Sequence, residues 1–238
     1  VKKIFTLAVL AAAATNAQSA ENNDLGFKGN GEFGFTTTSG NTESESLFTA
    51  LNLKYAREKD EIIGKVEANY QSEDDVTTQE RYLIDTQYNR FYSSSRDFYS
   101  FASARFEQNE FENIDLDSTY SIGLGKLLFK SDTMSLKGEA GVGYQTIDFT
   151  DGTNDDQAVV RGKLDYAYKI NENVDFAQDL MVTKGSEQMK TEANTAIKVK
   201  LAEQMRLKAG FKYRHNSDPA AGAEKTDTQT LLTLIYDF

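Results

Sequence analysis

Met205-Arg206-Leu207-Lys208-Ala209-Gly210-Phe211-Lys212-Tyr213-Arg214 is the stretch that decides the fold. Successive side chains of an extended chain point to opposite sides. Met205, Leu207, Ala209, Phe211 and Tyr213 therefore share one face, and Arg206, Lys208, Lys212 and Arg214 the other. Wound as an α-helix, the same residues would scatter both sets around the axis. The stretch reads as a β-strand with one apolar and one strongly cationic face.

Working outward, the same alternation recurs along the chain. Toward the C-terminus, Thr230, Leu232, Leu234, Tyr236 and Phe238 line one face of a last strand that ends at Phe238. Toward the N-terminus, strands are predicted near 190–201, 174–183, 157–168, 133–148, 115–129, 97–108, 79–92, 61–73, 44–56 and 27–37. The stretch 174–183 is the least regular of them. Most have the length of a tilted membrane strand with some extension. The total of about twelve is even, as in single-chain bacterial barrels. Short turns at Glu58-Asp60, Ser93-Arg96, Lys130-Asp132, Asn171-Asn173 and Ala202-Gln204 alternate with longer, more acidic connections such as Phe149-Asp155 and Ser217-Lys225. Short periplasmic turns and longer outer loops give that pattern, with both termini on the periplasmic side. The expected fold class is all-β: a transmembrane antiparallel β-barrel. A soluble sandwich or lipocalin-like barrel is the rival, because alternation alone does not say which face is inside.

The N-terminus adds an address. Lys2 and Lys3 precede an apolar run from Ile4 to Ala14, and small residues follow as far as Ala20. This is the profile of a secretory signal peptide, with the cut expected after Ser19. Residues 1–19 form the expected leader and 20–238 the barrel. The apolar run is shorter than the ~20 residues that a spanning helix needs. A strand closing on Phe238 resembles the signal that bacterial assembly machinery reads in outer-membrane barrels. Signal peptide and terminal Phe together point to the outer membrane of a Gram-negative envelope.

Composition narrows the function. The 238 residues contain no Cys and one His. Disulfides, Cys metal sites and His clusters are thereby excluded. A net charge of −11 argues against nucleic acid as a partner. No cofactor is implied. The single Pro, with Gly and Tyr frequent, suits strands and tight turns.

If the apolar face meets outer-membrane lipid, the charged face lines the lumen. Arg161, Lys163, Lys198, Lys200, Arg206, Lys208, Lys212 and Arg214 then form a candidate cationic strip. Glu32, Glu67, Asp85, Glu107 and Glu139 supply anions elsewhere on the same side. Free of partners, the strip would select small ions or anionic solutes. Paired across the lumen, the two sets would fill a modest barrel and close it. Enzymatic readings are weaker. His215 and Ser217 suggest an outer-membrane lipid hydrolase, but residues two apart on one strand rarely make a nucleophile–base contact. Asp148, Asp151, Asn154, Asp155 and Asp156 around Gly152 suggest a weak divalent-ion loop, without the spacing of an EF-hand.

Ser39-Gly40-Asn41-Thr42 after a Gly-rich first strand resembles the opening of the salt-induced outer-membrane protein family. Tyr213-Arg214-His215-Asn216-Ser217-Asp218-Pro219, then Lys225-Thr226-Asp227-Thr228 and a closing aromatic, resemble its end. The resemblance covers nearly the whole of 20–238. It implies an outer-membrane β-barrel of unknown function, linked to ionic conditions, with no catalytic residues to carry over. The expected role is non-enzymatic: a narrow pore with a charged lumen, or else a plugged structural or stress-related envelope barrel.

Overall fold

The structure is a computed structural model that describes residues 25–38, 44–74, 76–220 and 223–238. The expected leader 1–19 and the turn Ser39-Gly40-Asn41-Thr42 lie outside the described residues. Twelve strands run in chain order: β1 Gly26–Thr38, β2 Ser44–Ala56, β3 Asp60–Glu73, β4 Val76–Phe91, β5 Phe98–Asn109 and β6 Ile114–Lys130, then β7 Met134–Phe149, β8 Asn154–Asn171, β9 Val174–Lys184, β10 Met189–Ala202, β11 Met205–Asn216 and β12 Thr226–Asp237. Each pairs antiparallel with its chain neighbours, and β1 pairs with β12 to close the barrel. The shortest, β9, has 11 residues, enough to cross a bilayer at the usual tilt. The stretch that looked least regular in sequence is thus a full member of the barrel.

The side chains settle which face is inside. Ile122, Val160 and Leu232 are more than 60% exposed, whereas Glu67 is 3% and Arg81 2% exposed. Apolar outside and polar inside is the polarity of a membrane barrel and the reverse of a soluble one. Aliphatic residues such as Val66, Ile84, Val142 and Ile197 form the middle of the outer band. Phe27, Tyr55, Tyr92, Phe98 and Phe129 ring it near the end that carries the termini. Tyr70, Tyr82, Tyr120 and Tyr144 ring it at the other. Such aromatic girdles mark the two interfaces.

The two ends of the barrel differ less than the sequence suggests. The ladders run on where the alternation has faded: Ser72 pairs with Thr77 and Glu73 with Val76. Asp148 pairs with Asn154. Asp155 and Asp156, expected in a loop, therefore belong to β8. The connection at 92–97 on the terminus side is longer than that at 74–75 opposite. Backbone hydrogen bonds have no need of alternating hydrophobicity, so a strand can outlast its own sequence signal.

The closing seam is the shortest ladder. β1 pairs with β2 through to Thr38↔Ser44, but with β12 its register stops at Phe33↔Leu234. Reciprocal bonds between Gly29 and Phe238, 2.8 and 2.9 Å, hold its lower end. There the Phe27 and Phe238 rings lie 6.3 Å apart.

Candidate functional site: an ion-paired lumen

A barrel of about eight strands is filled by its own side chains, and one of sixteen to eighteen leaves a water channel. Twelve strands fall between, so long charged side chains can reach one another across the interior. They do so here in a continuous chain of alternating charge. Lys212 of β11 reaches Glu67 of β3 at 2.6 Å. Arg81 of β4 joins Glu67 at 3.0 Å to Glu107 of β5 at 2.7 Å. Arg105 contacts Glu107 at 3.1 Å and crosses to Glu192 of β10 at 2.6 Å. The chain begins and ends on neighbouring strands and crosses the lumen twice on the way.

Two further groups add to it. Toward the end opposite the termini, Lys190 of β10 reaches Asp117 of β6 at 2.7 Å. Gln145 donates to the same carboxylate at 2.8 Å and accepts from Gln157 at 3.0 Å. Nearer the terminus end, Arg161 lies 3.2 Å from Glu139 and over the Phe101 ring at 4.9 Å. Gln87 and Tyr99 donate to Glu139 at 2.8 and 2.9 Å. Room for the Tyr99 and Phe101 rings comes from inward glycines on β6 and β7. A Cβ at Gly125 would meet Tyr99, and one at Gly123 or Gly141 would meet Phe101. Buried charges are costly unless paired and hydrogen-bonded, and these are.

The eight cations read from the sequence all fall on strands β8, β10 and β11, but not as one free strip. Arg161, Lys208 and Lys212 are held by Glu139, Glu32 and Glu67. Lys163 lies 3.0 Å from Asp165 on its own strand, and Arg206 binds Asp237 through both nitrogens of its fork. Lys198, Lys200 and Arg214 have no carboxylate oxygen within 4.0 Å among the described residues. The Nε of Arg214 is buried without a hydrogen-bond partner. Sequence reading missed Arg105 and Lys190, which reach across the lumen, and Arg81, which links Glu67 and Glu107 along the wall. Their parity was the available signal: Arg81 is two pleats from Asp85, and Arg105 one pleat from Glu107.

The residues behind the enzymatic and divalent-ion readings make contacts of their own. His215 Nδ1 lies 2.9 Å from Thr226 Oγ1, and Ser217 Oγ accepts from the Met189 N–H at 2.8 Å. Asp151 accepts from Thr153 Oγ1 at 2.6 Å. Among the described residues no three His, Cys, Asp or Glu converge on a point that would hold a metal ion.

A closed twelve-stranded antiparallel barrel, apolar outside and ion-paired within, is a transmembrane β-barrel of the outer-membrane type. The chain belongs to the family described as protein of unknown function DUF481, whose model matches residues 31–238. This agrees with the resemblance read from the sequence, to an outer-membrane barrel family without an assigned role. The chain is similar to the uncharacterized protein YdiY of Escherichia coli (strain K12), with 26% identity over 211 residues, 88% of this chain and 82% of that one. It also resembles the COG4313 outer membrane channel from Pseudomonas putida F1, with a TM-score of 0.57 and 10% identity over 94% of this chain and 100% of that one. A NanC porin gives a TM-score of 0.51 and 8% identity, over 89% and 97%. At such identities the likeness to the two solved structures is one of fold.

Proposed function

We propose that the protein is a non-enzymatic barrel of the bacterial outer membrane that holds a narrow, charge-selective pathway for small solutes. The observation that carries this reading is the distribution of space inside. Cavities of about 320 and 220 Å³ share walls at Asn52, Lys65, Glu67, Asp179, Asn194 and Lys212. Beyond the crossing of Arg105 to Glu192, toward the end opposite the termini, the voids fall to about 30 and 20 Å³. Spaces of that size hold a water or two, since one water needs roughly 10–15 Å³. The pathway is therefore wide on the terminus side and constricted by side chains at the other.

Two fold relatives, an outer membrane channel and a porin, support a transport role. The outer-membrane location and the periplasmic placement of the termini rest on the fold and the order of the turns. A link to ionic conditions, implied by the sequence resemblance, fits a lumen closed by ion pairs.

The test is single-channel conductance of the refolded barrel in planar bilayers. The wild type is expected to give small steps. Arg105→Ala with Lys190→Ala should enlarge them several-fold and shift selectivity toward cations, because Asp117 and Glu192 then line the constriction without their cations, while Glu107 keeps Arg81. Silence in both forms would leave a plugged structural barrel. Large steps in the wild type would equally overturn the proposed constriction.

A further inference from the structure

We infer that the terminus-side cavity is a binding site for a small amphipathic organic anion: an acid group on a single ring or a short alkyl body. The inference goes beyond the pore reading, because occupation of the cavity does not require flux through it. Three observations carry it.

The first is surplus positive charge. In the β10–β11 ladder Lys198 stands directly opposite Lys208, and Lys200 opposite Arg206. Like charges in direct opposition destabilise a sheet. Glu32 takes Lys208 at 2.8 Å, and Asp237 takes Arg206. Lys198 and Lys200 are left without a carboxylate within 4.0 Å among the described residues, although Asp175 is the register partner of Lys198 on β9. Lys200 is exposed and can be solvated. Lys198 is half-buried and lines the 220 Å³ cavity.

The second is an apolar wall where the pleat calls for polar groups. Phe48, Ala50, Ala196, Leu231 and Ile235 all line this cavity and are 2–8% exposed. Their neighbours of the same parity, such as Asn52, Asn194 and Thr233, are polar. Much of the remaining lining is charged, with Glu32, Glu67 and Asp179 facing Lys65, Lys198, Arg206, Lys208 and Lys212, so the five apolar residues form a patch within a net-cationic lumen. An apolar surface beside placed charges is the pairing that small-molecule sites use. An apolar cavity of roughly 150 Å³ takes benzene. At about 220 Å³ this one has room for such a body and its acid group.

The third is access. A recess of about 400 Å³ at the terminus-side mouth shares Ala177, Lys198 and Arg206 with the cavity. A solute arriving from that side meets Lys198 and Arg206, which line both the recess and the cavity that holds the apolar patch.

Equilibrium dialysis of radiolabelled benzoate against the refolded full barrel at neutral pH, with protein-free micelles as blank, tests the site. Acetate keeps the charge without the body, and benzamide the body without the charge. Saturable binding of one benzoate per barrel is expected, with both analogues weaker by about tenfold or more, the scale of one charge-assisted hydrogen bond. Lys198→Gln removes no paired group, so it should fold normally and lose about tenfold in benzoate affinity. Leu231→Thr should weaken benzoate and leave acetate unchanged. Benzoate binding no tighter than acetate, undiminished binding to Lys198→Gln, or no binding at all would each overturn the inference. A barrel silent in bilayers that still binds benzoate would sink the pore reading and leave this one standing.

Discussion

Arg81→Ala should lower the stability of the refolded barrel by about 3 kcal/mol, the low end of what breaking a buried ion pair costs. Arg81 is 2% exposed and is the only link between Glu67 of β3 and Glu107 of β5 among the described residues. Its loss leaves two buried carboxylates facing each other. The cost stays at the low end because neither is stranded. Glu67 keeps Lys65 at 2.7 Å and Lys212 at 2.6 Å, and Glu107 keeps Arg105 at 3.1 Å. Urea unfolding in lipid vesicles, followed by far-ultraviolet circular dichroism because the chain has no Trp, gives the midpoint. The slope should not change, since the surface exposed on unfolding does not. Combining Arg81→Met with Glu107→Gln should recover most of the loss, because Glu67 keeps Lys65 and Lys212, and Arg105 keeps Glu192 at 2.6 Å, so no buried charge is left unpaired. A loss below about 0.5 kcal/mol, the range of an ordinary surface substitution, would mean that water screens these pairs. The lumen would then be far wetter than its geometry implies.

Residues that report on the pleat made much of this fold legible in the sequence. Met205 to Tyr213 gave the strand and its two faces, and the inward set Glu32, Glu67, Asp85, Glu107 and Glu139 lies inward as read. Alternation could not say which face meets lipid; that waited on Ile122 being exposed and Glu67 covered. Pairing across the lumen was not legible at all. Arg105 and Glu192 lie 87 positions apart, on strands that do not touch, and only the closed register of twelve strands brings them to 2.6 Å. The apolar lumenal wall was hidden for another reason. Leu231 and Leu232 adjoin in sequence but point to opposite sides, so composition marks both as outward until the register assigns one to the lumen. The ends of β4 and β8 were drawn short because their last residues are held by the ladder and not by hydrophobic contrast.

Gly123→Val should prevent the barrel from assembling, and the reason lies in the backbone rather than in any side chain. Gly123 of β6 stands directly opposite Gly141 of β7. A Cβ at 123 would lie 2.3 Å from the Ala140 carbonyl oxygen and 2.6 Å from the Gly141 Cα, as well as 2.7 Å from the Phe101 ring. Overpacking alone costs about 1–3 kcal/mol. Separating the two strands to make room forfeits ladder hydrogen bonds at roughly 1 kcal/mol each. Together these reach at least about 3 kcal/mol, a large share of the 5–15 kcal/mol that holds an ordinary domain. Two controls separate the causes. At Gly31 a Cβ meets nothing within 4 Å, so Gly31→Ala should be tolerated and gain up to about 1 kcal/mol by restricting the unfolded chain. At Gly125 the three atoms nearest the Cβ would all belong to the Tyr99 side chain, at 2.2–2.6 Å, and none to the backbone. Tyr99→Ala should therefore rescue Gly125→Ala, whereas Phe101→Ala should not rescue Gly123→Val. The assembled fraction, read from the heat-modifiable band on a denaturing gel, decides between them. Full assembly of Gly123→Val, or its rescue by Phe101→Ala, would show that β6 and β7 do not approach as closely as this register requires.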